Sequence, residues 1–205
     1  NGSTWTTGGN LTTARQTLAG AGIQTAALGF GGETPTITGA TEEYDGTNWT
    51  NGGNLNTARY HNAGAGLQTS GLCFGGTTGS KTGATEEYNG TSWSEQNDLA
   101  VTRFSVVGCG TQTAALASGG NISPPTVSVN NVEEYDGTNW TTGGTMNTAR
   151  SGVGRGSTGT QNACLAFGGV IPPPAASNLN EQYDGTSWSV QPTLSTARRE
   201  GGAAG

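Results

Sequence analysis

The same group of residues returns along this chain at a nearly fixed period. Trp5, Trp49, Trp93, Trp140 and Trp188 are 44, 44, 47 and 48 residues apart, and ten residues after each stands an arginine: Arg15, Arg59, Arg103, Arg150 and Arg198. A glycine pair follows each of the first four arginines, at 31–32, 75–76, 119–120 and 168–169. Tyr44, Tyr88, Tyr135 and Tyr183 then stand five residues before the next Trp. A period in the mid-forties predicts an array of small units, each burying its surface against its neighbours.

Within one unit the strand signals are short and closely bounded by turns. Ala19–Ile23 predicts a strand a, 25–30 a strand b, Thr41–Tyr44 a strand c, and 48–50 the start of a strand d. Asp45-Gly46, repeated as Asn89-Gly90, Asp136-Gly137 and Asp184-Gly185, reads as the c–d hairpin turn, because these residues tolerate positive φ. Four antiparallel strands per unit describe a propeller blade. Composition agrees, since 31% apolar residues and 37 glycines suit many thin layers better than one deep core.

The L-x-T-A-R run, the glycine pair and E-E-Y-D-G-T-x-W together resemble a kelch repeat. The resemblance covers almost the whole chain, as Trp5, Leu11, Arg15, Gly31, Gly32, Tyr44, Trp49 and their successors. It implies an all-β, kelch-type β-propeller of four-stranded antiparallel blades, with complete repeats over about 5–48, 49–92, 93–139 and 140–187 and the start of a further repeat over 188–205. Two departures are visible. Only four residues separate Tyr44 from Trp49, which shortens the c–d hairpin relative to the family, and Ser118 stands where Phe30, Phe74 and Phe167 precede the other glycine pairs. The third unit is therefore expected to pack less well. The ends carry only pieces of a fifth unit, without strands b and c. The expectation is a segment of a longer array, or a homo-oligomer in which a neighbour completes the row.

Each Trp and Tyr reads as a seal between units, and each arginine as a buried fork for backbone carbonyls or a carboxylate. Strand alternation puts Glu42 on the face of Tyr44, with Glu86, Glu133 and Glu181 as equivalents, so an Arg–Glu pair is predicted in each unit. Cys73, Cys109 and Cys164 form no CxxC pair and read as buried small residues, their odd number preventing an all-paired framework.

Catalytic patterns do not emerge. The only histidine is His61, which cannot by itself make a convincing metal site, so no metal and no cofactor is expected. The copper radical oxidases that share a kelch propeller need several His and Tyr ligands, so their activity is not implied. The carboxylates recur in every unit, which points to architecture rather than to a glycosidase pair. G-x-S-x-G and the phosphate-binding Gly-Lys pattern are absent. A net charge of −6, with one lysine, offers nothing for nucleic-acid phosphates, and no apolar run reaches membrane-spanning length.

Function is sought where the units differ. From the glycine pair to the Tyr the chain runs 12, 12, 15 and 14 residues, and this b–c connection holds six of the seven prolines, including Pro124, Pro125, Pro172, Pro173 and Pro174. Of fourteen aromatic residues, only Tyr60 and Phe104 fall outside repeated positions, both directly after the repeat arginine. In an up-and-down blade the d–a and b–c connections emerge on one side, so Tyr60, His61, Phe104 and the proline loops form the candidate binding face for a glycan or protein receptor. The leading expectation is a non-catalytic adhesion or display module, extracellular or on a virion surface. The Thr-, Asn- and Gly-rich composition is similar to that of marine-phage structural proteins. The alternatives are an intracellular kelch interaction scaffold and an accessory domain of a larger enzyme.

Overall fold

In the computed structural model the described residues are 4–122, 127–153 and 159–199. They contain no helix, and so none long and apolar enough to cross a membrane. The first sheet is β1 (Ala19–Ile23), β2 (Ala26–Phe30), β3 (Thr41–Tyr44) and β4 (Trp49–Asn51), paired antiparallel in chain order. The second repeats it with β5 (Ala63–Leu67), β6 (Ser70–Phe74), β7 (Thr85–Tyr88) and β8 (Trp93–Gln96). The third consists of β9 (Val107–Thr111), β10 (Ala114–Ser118), β13 (Val132–Tyr135) and β14 (Trp140–Thr142), its b–c connection forming a separate hairpin of β11 (Asn121–Ile122) and β12 (Val127–Ser128). The fourth consists of β15 (Gly159–Thr160), β16 (Ala163–Phe167), β19 (Asn180–Tyr183) and β20 (Trp188–Gln191), with the hairpin β17 (Val170–Ile171) and β18 (Ala175–Ala176). The fold is all-β and propeller-like.

The core is three thin layers rather than one mass. Between the first and second sheets lie Leu28, Phe30, Tyr88 and Trp93; between the second and third, Leu72, Phe74, Tyr135 and Trp140; between the third and fourth, Leu116, Val132, Tyr183 and Trp188. Strand c shows how one short sequence serves two faces. In β3, Thr41 and Glu43 face forward to the next sheet while Glu42 and Tyr44 face back. The indole of Trp93 donates to Thr41 Oγ1 at 2.9 Å, and the Tyr88 hydroxyl donates to Glu43 Oε1 at 2.5 Å. Trp140 to Thr85 (3.0 Å) and Tyr135 to Glu87 (3.1 Å) repeat both bonds at the next junction.

On the backward face, Glu42, Glu86, Glu133 and Glu181 meet Arg15, Arg59, Arg103 and Arg150 at 3.0, 3.1, 2.9 and 2.8 Å, all with buried side chains. The pairing expected from alternation is thus present in every sheet. Arg103 also donates to the carbonyls of Gly119, Asn131 and Ala117, so one guanidinium ties strands b and c to the crossover that carries it. Burial lowers the guanidinium pKa of Arg15, Arg103 and Arg150, against the pull of their carboxylates.

All three cysteines are buried, as expected, but two of them are bonded to each other. Cys109, facing forward from β9, and Cys164, facing back from β16, form a disulfide across the third junction, while Cys73 is a buried free thiol. Strand register makes Ala166 the fourth sheet's counterpart of Cys73.

Among the described residues, contacts pass from sheet to sheet in chain order, β1 to β5, β5 to β9 and β9 to β15, and none of comparable extent joins the first sheet to the fourth. Their outward faces are correspondingly less covered. Tyr44 and Trp49 are half-buried where Tyr88 and Trp93 are buried, and Leu165 is 37% exposed where Leu28, Leu72 and Leu116 are at most 1%.

Candidate functional site

The side of the row that carries the variable loops is organised by main-chain hydrogen bonds. The residue after each repeat arginine bridges the first residue of its own b–c connection: Gln16 with Glu33, Tyr60 with Thr77, Phe104 with Asn121, Ser151 with Val170. The d–a and b–c connections therefore emerge together, as up-and-down strand order requires. One residue further on, Thr17, His61, Ser105 and Gly152 all take left-handed φ values of 54–56°. In the second, third and fourth sheets that conformation turns the N–H toward the preceding sheet. His61 donates to the Thr17 carbonyl (3.0 Å), Ser105 to that of His61 (2.9 Å) and Gly152 to that of Ser105 (3.2 Å). The result is a ladder of peptide groups running across all four sheets.

The glycine pair adds a second tie. Gly32, Gly76, Gly120 and Gly169 donate to the carbonyls of Arg59, Arg103, Arg150 and Arg198 of the next crossover, at 2.8–3.0 Å. Gly31 has φ +68°, and a Cβ there would lie 2.6 Å from the Arg59 carbonyl oxygen, so both backbone twist and close approach require glycine.

On this ladder the structure brings Tyr60, His61 and Phe104 together. Tyr60 and His61 have ring centroids 4.9 Å apart at 42°, and His61 and Phe104 are 6.0 Å apart at 48°. All three are half-buried, and their inclined rings form a tilted aromatic strip over the second and third sheets rather than one flat plate. At the equivalent positions the first sheet has Gln16 and Thr17, and the fourth Ser151 and Gly152. Pro172, Pro173 and Pro174 form the exposed tip of the β17–β18 hairpin, two sheets from Tyr60, and rise from the same side without joining the aromatic strip. Pro124 and Pro125 lie outside the described residues. On the first sheet, Ala14, Arg15, Gln16, Glu33, Thr34 and Pro35 line an open depression of about 300 Å³, to which no residue of the strip contributes.

The repeated aromatic residues belong to the junctions instead. Tyr88–Trp93, Tyr135–Trp140 and Tyr183–Trp188 pack within their sheets at 5.0, 4.9 and 5.2 Å, while Trp5 is fully exposed. The first sheet's Tyr44 and Trp49 also pack together, at 5.0 Å. Burial and the carboxylate of Glu43 raise the Tyr88 pKa to about 12, and burial with Glu134 does the same for Tyr183. At the opposite rim the carboxylates of Asp45, Asp136 and Asp184 each accept two backbone N–H groups, which holds their pKa down and marks them as turn formers.

One repeated contact escaped sequence reasoning. Gln68, Gln112 and Gln161 each donate from Nε2 to two carbonyls of the preceding sheet, as Gln68 does to Ala27 (3.1 Å) and Tyr44 (2.6 Å). Their recurrence in the a–b turn was the available signal. Among the described residues, no group of three or more His, Cys, Asp and Glu side chains is placed to hold a metal ion. Compared with protein-family models and with curated proteins, the chain matches none.

Proposed function

We propose that this chain is part of a kelch-type propeller that serves as a non-catalytic binding module, taking a neutral glycan on the Tyr60–His61–Phe104 strip and acting outside the cell or on a virion surface. The observation that carries the reading is the strip itself. It occurs only where the repeats diverge, on the loop-bearing side, and its rings are held by a backbone ladder that needs none of them. Half-buried aromatic faces suit the C–H face of a sugar ring, and exposed amide groups on the same side, such as that of Gln16, suit its hydroxyls. The net charge of −6 disfavours a polyanion.

A disulfide between two sheets supports an oxidising location over a reducing interior. The less-covered outer faces of the first and fourth sheets favour completion of the row by further sheets, from a longer chain or a second copy. An array of neutral and charged glycans tests the function. The wild-type chain is expected to retain neutral glycans, and Tyr60→Ala and Phe104→Ala each to weaken binding about tenfold or more while leaving the melting temperature nearly unchanged. Glycan binding that survives both substitutions would overturn the assignment of the strip.

A further inference from the structure

The third junction lacks two contacts that the other junctions share. Phe30 meets Trp93 and Phe74 meets Trp140, each with centroids 4.9 Å apart, but Ser118 occupies the corresponding position opposite Trp188. Thr41 and Thr85 accept the indole N–H of Trp93 and Trp140, but Val132 stands in their place. Ser118 Oγ and Trp188 Nε1 are consequently buried without a hydrogen-bond partner, although Ser118 is fully buried and Trp188 only 7% exposed. Unpaired buried polar atoms weaken a packed interface. This same junction carries the Cys109–Cys164 disulfide, whose counterparts at the other two are Ala21 with Gly71 and Ala65 with Ala115.

We propose that the third junction is conditional on redox state: the disulfide substitutes for the missing aromatic contact and hydrogen bond, and its reduction lets the fourth sheet part from the first three. What remains without it is the thin apolar layer of Leu116, Val132, Met146, Tyr183 and Trp188, the bond from Tyr183 to Glu134, the two bonds from Gln161, the Ser128–Ser151 hydroxyl contact, and main-chain bonds such as those of Gly120, Met146, Arg150 and Gly152. The chemistry is two-electron reduction by a dithiol. The S–S bond breaks, each cysteine sulfur gains a proton, and the dithiol is left as its own disulfide. Both sulfurs are buried, so reduction proceeds through transient opening of the junction, and the thiols then leave it without its clamp. Parting carries the Pro172–Pro174 hairpin away from the aromatic strip, so the loop-bearing face would be rearranged by a reductant.

Hydrogen exchange of the full chain with and without a dithiol tests this. Exchange over 159–191 is expected to accelerate about 30-fold or more on reduction, with β1 to β8 little changed, and Cys109→Ala with Cys164→Ala to show the fast pattern without any reductant. Ser118→Phe with Val132→Thr restores the two missing contacts, and in the reduced chain should return the fourth sheet to slow exchange. Uniform acceleration along the chain, or a reduced fourth sheet that is as protected as the oxidised one, overturns the proposal. So does a restored variant that exchanges as fast as the reduced parent while its oxidised form is well folded.

Discussion

Arg103 and Glu133 show what one residue pair does in a sheet with so little apolar mass. The guanidinium is fully buried, meets the carboxylate at 2.9 Å and donates from its two terminal nitrogens to three carbonyls, leaving Nε without a partner. Replacing Glu133 by Ala strands a buried cation and is expected to destabilise the chain by about 3–5 kcal/mol, measured from denaturant midpoints. Arg103→Met combined with Glu133→Leu should recover a large part of that loss, since the charges go together. The buried tyrosines make a different prediction. Their pKa is raised from about 10 in the unfolded chain to about 12 for Tyr88 and Tyr183. The neutral phenol is thus favoured in the fold, so its contribution is whole below pH 10 and lost as pH rises toward 12. Thermal melting followed over that interval should fall, and less steeply in Tyr88→Phe. Alternation within T-E-E-Y made the Arg–Glu pairs legible in the sequence. The partners of Glu43, Glu87 and Glu134 were not, because they lie on the next sheet, at a distance that no local period encodes.

At the scale of strands, the a and c elements fall where alternation and the turn residues place them, Ala19–Ile23 and Thr41–Tyr44 among them. The b–c connections of the third and fourth sheets were read as loops and are partly hairpins, β11–β12 and β17–β18, too short for a strand signal to emerge from two residues. The disulfide was illegible for another reason. Comparing repeats aligns equivalent positions, whereas Cys109 and Cys164 occupy different strands of adjacent sheets. The geometry that joins them should transfer to the preceding junction. Ala65→Cys with Ala115→Cys is expected to oxidise spontaneously and to stabilise the chain by up to about 2–4 kcal/mol, checked by thiol titration and denaturant melts before and after reduction.

For the whole molecule, a row whose core is divided among three junctions has two ends that resemble interiors. Tyr44 and Trp49 at one end and Leu165 and Phe167 at the other remain partly uncovered, and Trp5 is fully exposed. With a pI near 4.6, charge repulsion between copies vanishes at mildly acid pH. Light scattering should therefore give a mass above 20.6 kDa that grows with concentration and grows most near that pH, and Trp49→Lys should reduce it. The aromatic strip was partly legible because Tyr60 and Phe104 break the repeat. What the sequence could not convey is that His61 bridges them, because its left-handed backbone follows from a bond to the neighbouring sheet. That ladder has a further consequence. It is built from peptide groups, asking only that positions 17, 61, 105 and 152 accept positive φ, and it makes no demand on the side chains at 16, 60, 104 and 151. Gln16, Tyr60 and Phe104, which are not buried, can therefore be rewritten by mutation while the chassis beneath them stays the same, whereas Ser151 is buried against Ser128. The surface chemistry of this side can drift without the fold having to be solved again.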